Sequence, residues 1–156
     1  MSSLPNHEKP FSKHLFLILI ISFFTLKIAS ASVDEAEALL TWKASFTNMN
    51  NTLLKSWKSS NHSKGSVSPC TWLGVSCING SINRLNITNS SINGTLHSFP
   101  FSSLPNLEYA NLSMNQLSGS IPPQISKLSK LINYLDLSYN QFSGSITPEI
   151  GLLTNL

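Results

Sequence analysis

Apolar and polar positions follow three successive patterns along the chain. Residues 1–14 are polar and carry Lys9 and Lys13, and Leu15 to Leu26 then reads LFLILIISFFTL, apolar apart from Ser22 and Thr25. This run is about half of the ~20 residues that a helix needs to cross a bilayer. Small residues follow, Ile28-Ala29-Ser30-Ala31-Ser32, and supply the A-x-A pattern read by signal peptidase. Residues 1–31 are therefore expected to be a signal peptide cleaved after Ala31, since an uncleaved membrane anchor calls for a longer apolar core.

The second pattern has helical spacing. Leu39, Trp42 and Phe46 recur at i, i+3 and i+7 with Leu40 beside them, which predicts a helix over about 34–46 with one buried face. Ser32-Val33-Asp34-Glu35 has the form of a capping box, and Asp34, Glu35 and Glu37 suit a helix N-terminus. Leu53, Leu54 and Trp57 form a second, shorter apolar patch, and Ser59 to Pro69, rich in Ser, Gly and Lys, reads as an exposed loop.

The third pattern is a repeat. A shift of 25 residues aligns Leu85, Ala110 and Leu135, then Ile87, Leu112 and Leu137, then Ile92, Leu117 and Phe142. The same shift aligns Gly94, Gly119 and Gly144, then Leu96, Ile121 and Ile146. No heptad or single amphipathic helix has a period this long with glycines at fixed places. In each unit the first apolar pair brackets one polar residue, the alternation of a short strand with one buried face. Asn115 and Asn140 follow three residues later, where their amides can satisfy backbone groups as the chain turns, and Ser90 takes that place in the first unit. The glycine permits the next bend, and Ile121-Pro122-Pro123 is expected to hold an extended segment on the far side. Stacked units of this kind form a curved right-handed coil with strands on the concave face.

Composition narrows the chemistry. Only 11% of residues are charged, against roughly 25% in an average soluble domain, so the acids and bases of catalytic sites are scarce. Beyond Ala31, seven basic residues face six acids, and so thin a charge gives no phosphate-binding stripe and no nucleic-acid partner. A secreted hydrolase has only His62, His97 and scattered acids to draw on. Cys70 and Cys77 are the only cysteines, and in an oxidising compartment an even count points to one bridge across a tight turn at Gly74. The rivals are a metal site completed by His62 or His97, for which the spacing fits no recurrent zinc pattern, and a nucleophilic thiol. Asn-x-Ser/Thr triplets at Asn50, Asn61, Asn79, Asn86, Asn89, Asn93 and Asn111 permit glycans and agree with secretion.

LEYANLSMNQLSGSIPPQISKLSK, residues 107–130, resembles the plant leucine-rich-repeat pattern LxxLxLxxNxLxGxIPxxLxxLxx, with Ala110 its one weak apolar position. Residues 132–155 resemble it again, with Thr147 where the pattern has Pro, and a degenerate first unit starts at 82. ALLTWKASF, LLKSW and CTWLGVSC resemble the N-terminal cap of plant leucine-rich-repeat receptor-like kinases. The resemblance implies an α/β solenoid, with a helical, disulfide-bridged cap over 32–81 and about three repeats over 82–156. It further implies an ectodomain on the extracellular side of the plasma membrane or in the cell wall, reached through the secretory pathway. Its partners would be a secreted peptide or another leucine-rich-repeat ectodomain. Family members add a transmembrane helix and a Ser/Thr kinase. Here no Gly-rich phosphate loop, strand lysine, HRD or DFG segment occurs, so no catalytic residue, cofactor or metal is expected, and any membrane attachment lies in a missing C-terminal segment. The array reaches Leu156 at the opening of a further repeat and is read as truncated, the N-terminal piece of a receptor ectodomain. The alternative is a short secreted repeat protein, a wall-enzyme inhibitor or co-receptor-like module.

Residues flanking the buried strand positions are expected to face the concave side: Arg84, Asn86 and Thr88, then Tyr109, Asn111, Ser113 and Met114, then Tyr134, Asp136, Ser138 and Tyr139. Exposed aromatics there are either anchors for a partner or a stacking column. Glycans on Asn86 and Asn111 would obstruct the first two units, so the binding candidates centre on Tyr134, Asp136 and Tyr139, with Tyr109 beside them.

Overall fold

A computed structural model describes residues 33–47, 51–59, 68–128 and 132–156. The leader, Ser32, Asn50, Asn61 and His62 lie outside the described residues. The cap opens with helix α1 over 33–44, which buries Ala36, Leu39 and Trp42; Phe46, just past its end, is buried as well. Helix α2, Thr52–Ser56, is a single turn capped by Asn51, whose Oδ1 accepts from the Leu53 N–H at 2.6 Å. Its apolar patch docks through fully buried Leu54 and Trp57. Lys43 Nζ donates to the Trp57 carbonyl at 2.7 Å and ties the two helices together.

Among the described residues seven strands form two sheets. β1 (Val75–Ile78), β2 (Ser81–Asn86), β4 (Tyr109–Asn111) and β6 (Tyr134–Asp136) make one, in that order. β1 and β2 are antiparallel, and the remaining pairs are parallel with Leu85, Ala110 and Leu135 in register. The 25-residue shift is thus the register of the sheet. The ladder continues past the strands, with Ile87 N–H donating to Asn111 O and Leu112 N–H to Asp136 O, both at 2.9 Å.

A second sheet, β3 (Asn93–Thr95), β5 (Gln116–Gly119) and β7 (Gln141–Phe142), runs along the other side of the turn. It was not expected from sequence, because each strand is two to four residues long and no alternation can be read over such a span. The expected extended segment after Ile121 is also corrected. Pro123–Leu128 and Pro148–Leu152 are 3-10 helices that bury Ile125 and Leu128 in the second unit. Proline fixes φ near the helical value at a first turn, where its missing N–H leaves no bond unmade.

Between the sheets and these helices lies one apolar cluster that runs from Leu39 and Trp42 through Leu85, Ile87, Ile92, Leu112 and Leu117 to Leu153. Fully burying such a side chain stabilises the fold by about 1.5–3 kcal/mol. Leu96, Ile121 and Ile146, equivalent by the repeat, pass from buried through half-buried to 73% exposed. Each unit covers the core of its neighbour.

The turn out of each concave strand is held by the asparagine of the repeat. Asn115 is buried; its Oδ1 accepts from Ser90 N–H at 3.1 Å and Ile92 N–H at 3.0 Å. Its Nδ2 donates to the carbonyls of Ile87, Leu112 and Ser113 at 2.8, 3.0 and 3.0 Å. Asn140 repeats this one unit on, accepting from Leu117 N–H and donating to Leu112, Leu137 and Ser138. The residue before each, Met114 or Tyr139, takes a left-handed backbone with φ of 56° and 51°. In the first unit Ser90 cannot reach back in this way, and the cap does so instead: Asn51 Nδ2 donates to the Ser90 carbonyl.

The cap is joined to the array at further points. Glu35 is buried, accepting from Ser81 Oγ at 2.5 Å and Ile82 N–H at 3.0 Å, and Asn106 Nδ2 donates to the same Ser81 hydroxyl at 2.8 Å. The capping box expected for Glu35 rests on Ser32, which lies outside the described residues; among the described residues its two oxygens serve β2. Trp42 Nε1 donates to Thr95 O and Trp57 Nε1 to Leu73 O, each at 3.0 Å. Gly94 is required by a close approach, since a Cβ there would lie 2.7 Å from Phe46 Cδ1, whereas Gly119 and Gly144 have φ of +77° and +83°.

Two predictions follow from these bonds. Asn115→Ala strands two buried N–H groups, each costing about 1–3 kcal/mol, and Asn140→Ala strands one that is partly buried. Chemical denaturation should therefore show Asn115→Ala losing about 2–4 kcal/mol and Asn140→Ala roughly half as much. Burial pushes the Glu35 carboxyl above its ordinary value near 4.5, against the opposing hydrogen bonds from Ser81 and Ile82. Below that value the group is protonated whether the chain is folded or not; as pH rises through the raised value the unfolded chain releases its proton first, and stability falls. Glu35→Gln removes this loss. Thermal melting should show the variant gaining on the parent as pH rises from about 4 to about 7, and a constant difference would contradict the assignment.

Candidate functional site

The open face of the four-stranded sheet is arranged in rows because the strands are in register. The first row is Ser76, Arg84, Tyr109 and Tyr134. The rings of Tyr109 and Tyr134 stack with centroids 4.4 Å apart and planes 4° from parallel. The Arg84 guanidinium carbon lies 3.6 Å from the Tyr109 centroid, a cation–π contact that continues the stack.

The second row is Asn86, Asn111 and Asp136. Each points its oxygen at the N–H two residues on, with Thr88, Ser113 and Ser138 donating at 3.2, 3.0 and 2.9 Å. The side chains of this row thus close their own turns. Hydrogen bonds from Ser138 hold the Asp136 carboxyl below its ordinary value, so it is charged at neutral pH. Tyr134 Oη lies 3.4 Å from Asp136 Oδ2, and desolvation together with that carboxylate pushes the phenol upward. In the third row Thr88 Oγ1 and Ser113 Oγ are 3.0 Å apart, with Ser138 beyond. The last row is Asn89, Met114 and Tyr139, all left-handed, with Tyr139 82% exposed.

The candidates of the sequence therefore separate. Tyr109, Tyr134 and Asp136 come together through the stack and the phenol–carboxylate contact, whereas Tyr139 stands apart on the far margin of the face. Arg84 belongs with the first group through Tyr109. The pairing was readable from the 25-residue spacing of 84, 109 and 134.

Cys70 and Cys77 are joined, with Cα atoms 5.5 Å apart, so neither thiolate is available to a metal or as a nucleophile. The bridge links a 3-10 turn, Pro69–Thr71, to β1. The turn between β1 and β2 went unread although Asn79-Gly80 signals it: both residues have positive φ, 52° and 81°, as a two-residue hairpin demands. Among the glycan candidates, Asn79, Asn89 and Asn93 are exposed, and Asn86 and Asn111 are half-buried with their oxygens engaged in turns.

Residues 32–78 match the Leucine rich repeat N-terminal domain family, and residues 106–128 and 132–153 match the Leucine Rich Repeat family, together more than half of the chain. The chain is 50% identical over 126 residues to the MDIS1-interacting receptor like kinase 2 of Arabidopsis thaliana. Its cap and repeats belong to the leucine-rich-repeat families, and the part of that relative it matches is the corresponding stretch of a plant receptor-like kinase. That match takes in 80% of this chain and 12% of the kinase, and a second Arabidopsis relative, the probable leucine-rich repeat receptor-like protein kinase At1g35710, is 50% identical over 75% of this chain and 10% of its own length. Among solved structures, the BIR2 ectodomain from Arabidopsis superposes with a TM-score of 0.67 at 28% identity, covering 78% of this chain and 63% of BIR2. A chain of the Arabidopsis BIR3–SERK2 complex does so at 0.65 and 33% identity, over 76% of this chain and 63% of that one. The GASSHO1/SCHENGEN3 ectodomain, solved with CASPARIAN STRIP INTEGRITY FACTOR 2, gives 0.66 and 30% identity over 78% of this chain and 14% of its own. The α/β leucine-rich-repeat solenoid with a helical, bridged cap is thereby established for this chain.

Proposed function

We propose that the chain is a non-catalytic recognition module of a plant receptor kinase, exported through the secretory pathway and facing the cell exterior, which binds a secreted peptide or a second leucine-rich-repeat ectodomain. The observation that carries this reading is the open sheet face, where Tyr134 and Tyr139 present exposed aromatic surface and Asp136 a charged carboxyl. Tyr134, already ordered by its stack on Tyr109, loses little entropy on contact with a partner. Two structural relatives fit the same reading, one solved with a second receptor ectodomain and the other with CASPARIAN STRIP INTEGRITY FACTOR 2. Glycans on exposed Asn79, Asn89 and Asn93 would leave the second and third units of that face open. Among the described residues no helix is long and apolar enough to cross a membrane.

The test is a binding screen of the purified chain against plant leucine-rich-repeat ectodomains and secreted peptides, followed by Tyr134→Ala, Asp136→Ala and Tyr139→Ala on every partner found. The combined variant should lose about tenfold or more in affinity while melting within a few degrees of the parent. Undiminished binding by that variant would place recognition elsewhere.

A further inference from the structure

The first two rows of the open face carry opposite charges, Arg84 in the first and Asp136 in the second. Arg84 sits next to the cap on β2, and Asp136 lies two strands away on β6. Strands are about 4.8 Å apart and residues about 3.3 Å apart along them, so the two charges are separated by roughly 10–13 Å.

Arg84 is exposed, and one face of its guanidinium rests on Tyr109. That contact holds the plane and leaves the N–H edges outward; among the described residues no carboxylate is paired with them. Ser76, its exposed register partner on β1, places a hydroxyl on the same row. A planar fork of this kind suits a carboxylate, which accepts two parallel N–H bonds. At the other end, Asp136 Oδ1 accepts from the Ser138 N–H and Oδ2 lies 3.4 Å from the Tyr134 hydroxyl, while the Ser138 and Ser113 hydroxyls also bond the carboxyl and keep it charged. Between them the face offers few free groups, because the oxygens of Asn86 and Asn111 are committed to their own turns and Thr88 is bonded to Ser113. The Tyr109–Tyr134 stack spans the gap, with the faces of Tyr109 covered by the Arg84 guanidinium and the Tyr134 ring.

We infer that these two rows take an extended peptide segment lying obliquely across the strands, with an acidic side chain on the Arg84 fork and a basic one, three or four residues away, on Asp136. Three or four residues of extended chain cover about 10–13 Å, the separation of the two charges. A uniformly acidic partner such as a nucleic acid is repelled at Asp136, and a uniformly basic one at Arg84. The inference deepens the proposed recognition role and rests on it.

The test uses the full chain with trimmed glycans and three synthetic peptides of equal length built on one Gly/Ala/Tyr frame. One carries Asp and Lys three residues apart, one carries Asp at both places, and one carries Lys at both. The mixed peptide should bind about fivefold more tightly than either other in low salt, and the preference should shrink as salt is added. Arg84→Glu should move the preference to the all-Lys peptide, and Asp136→Lys should move it to the all-Asp peptide. Both substitutions lie at exposed or half-buried positions, and unchanged melting shows that the fold is retained. Equal binding of all three peptides by the parent and both variants overturns the charge pattern and leaves recognition by the face standing. Binding of none of the peptides overturns the peptide as occupant, while the ectodomain screen reports separately on the broader role.

Discussion

A buried turn is the constraint on which this fold depends. Each repeat leaves its concave strand inside the protein, where water cannot satisfy the backbone groups that the turn exposes, and an unmet buried N–H costs about 1–3 kcal/mol. In the second and third units one asparagine meets this demand. Asn115 takes two backbone N–H groups of the preceding unit and gives its amide protons to carbonyls in both, so a single side chain closes its own turn and fixes the register to its neighbour. Neither aspartate nor leucine offers both functions, because the site needs a donor and an acceptor on one short, uncharged side chain. The residue just before it is left-handed, as is Asn89 before Ser90, so this backbone belongs to the turn of all three units.

The cap is built to supply what the first unit lacks. Serine at position 90 cannot span the gap that Asn115 and Asn140 span, and Asn51, the residue that caps α2, reaches the Ser90 carbonyl from the other side. Glu35 binds β2 at the hairpin end, Trp42 reaches Thr95 in the second sheet, and Phe46 fills the space left open by Gly94. The cap and the first repeat therefore share one sheet, one hydrogen-bond network and one aromatic cluster, in which Trp42 packs edge-on against Phe46 and Phe99. Polar links across this junction restrict the orientation of α1, which apolar packing alone leaves free to slide.

Much of this was legible in the residues themselves. The 25-residue spacing of apolar positions translates directly into strand register, and the paired asparagines announce the turns. The second sheet was hidden because strands of two to four residues carry no readable alternation, and the 3-10 helices were hidden because Ile-Pro-Pro is compatible with extended and helical starts alike. The bond from Glu35 to β2 was hidden, since its partner Ser81 lies 46 positions away. Within the candidate site, single positions were legible and their grouping only partly so. Tyr109 and Tyr134 were marked as either anchors or a column. They stack, and Arg84 completes the column by a contact that becomes visible only when the 25-residue spacing is applied to a residue of different chemistry.

The division of labour across the open face follows from the same geometry. Asn86, Asn111, Thr88 and Ser113 spend their polar groups on turns and on each other, leaving Arg84, Tyr134 and Asp136 on one side and Tyr139 on the other to meet a partner. The claim that an asparagine bond to the preceding unit holds the array together is tested most directly by amide hydrogen exchange, residue by residue. The N–H groups of Ser90, Ile92 and Leu117, which end on the Asn115 and Asn140 side-chain oxygens, should exchange as slowly as those of the strand core and open together with it. Fast exchange at these three amides, with the strand N–H groups of Leu85 and Ala110 still protected, would contradict the account.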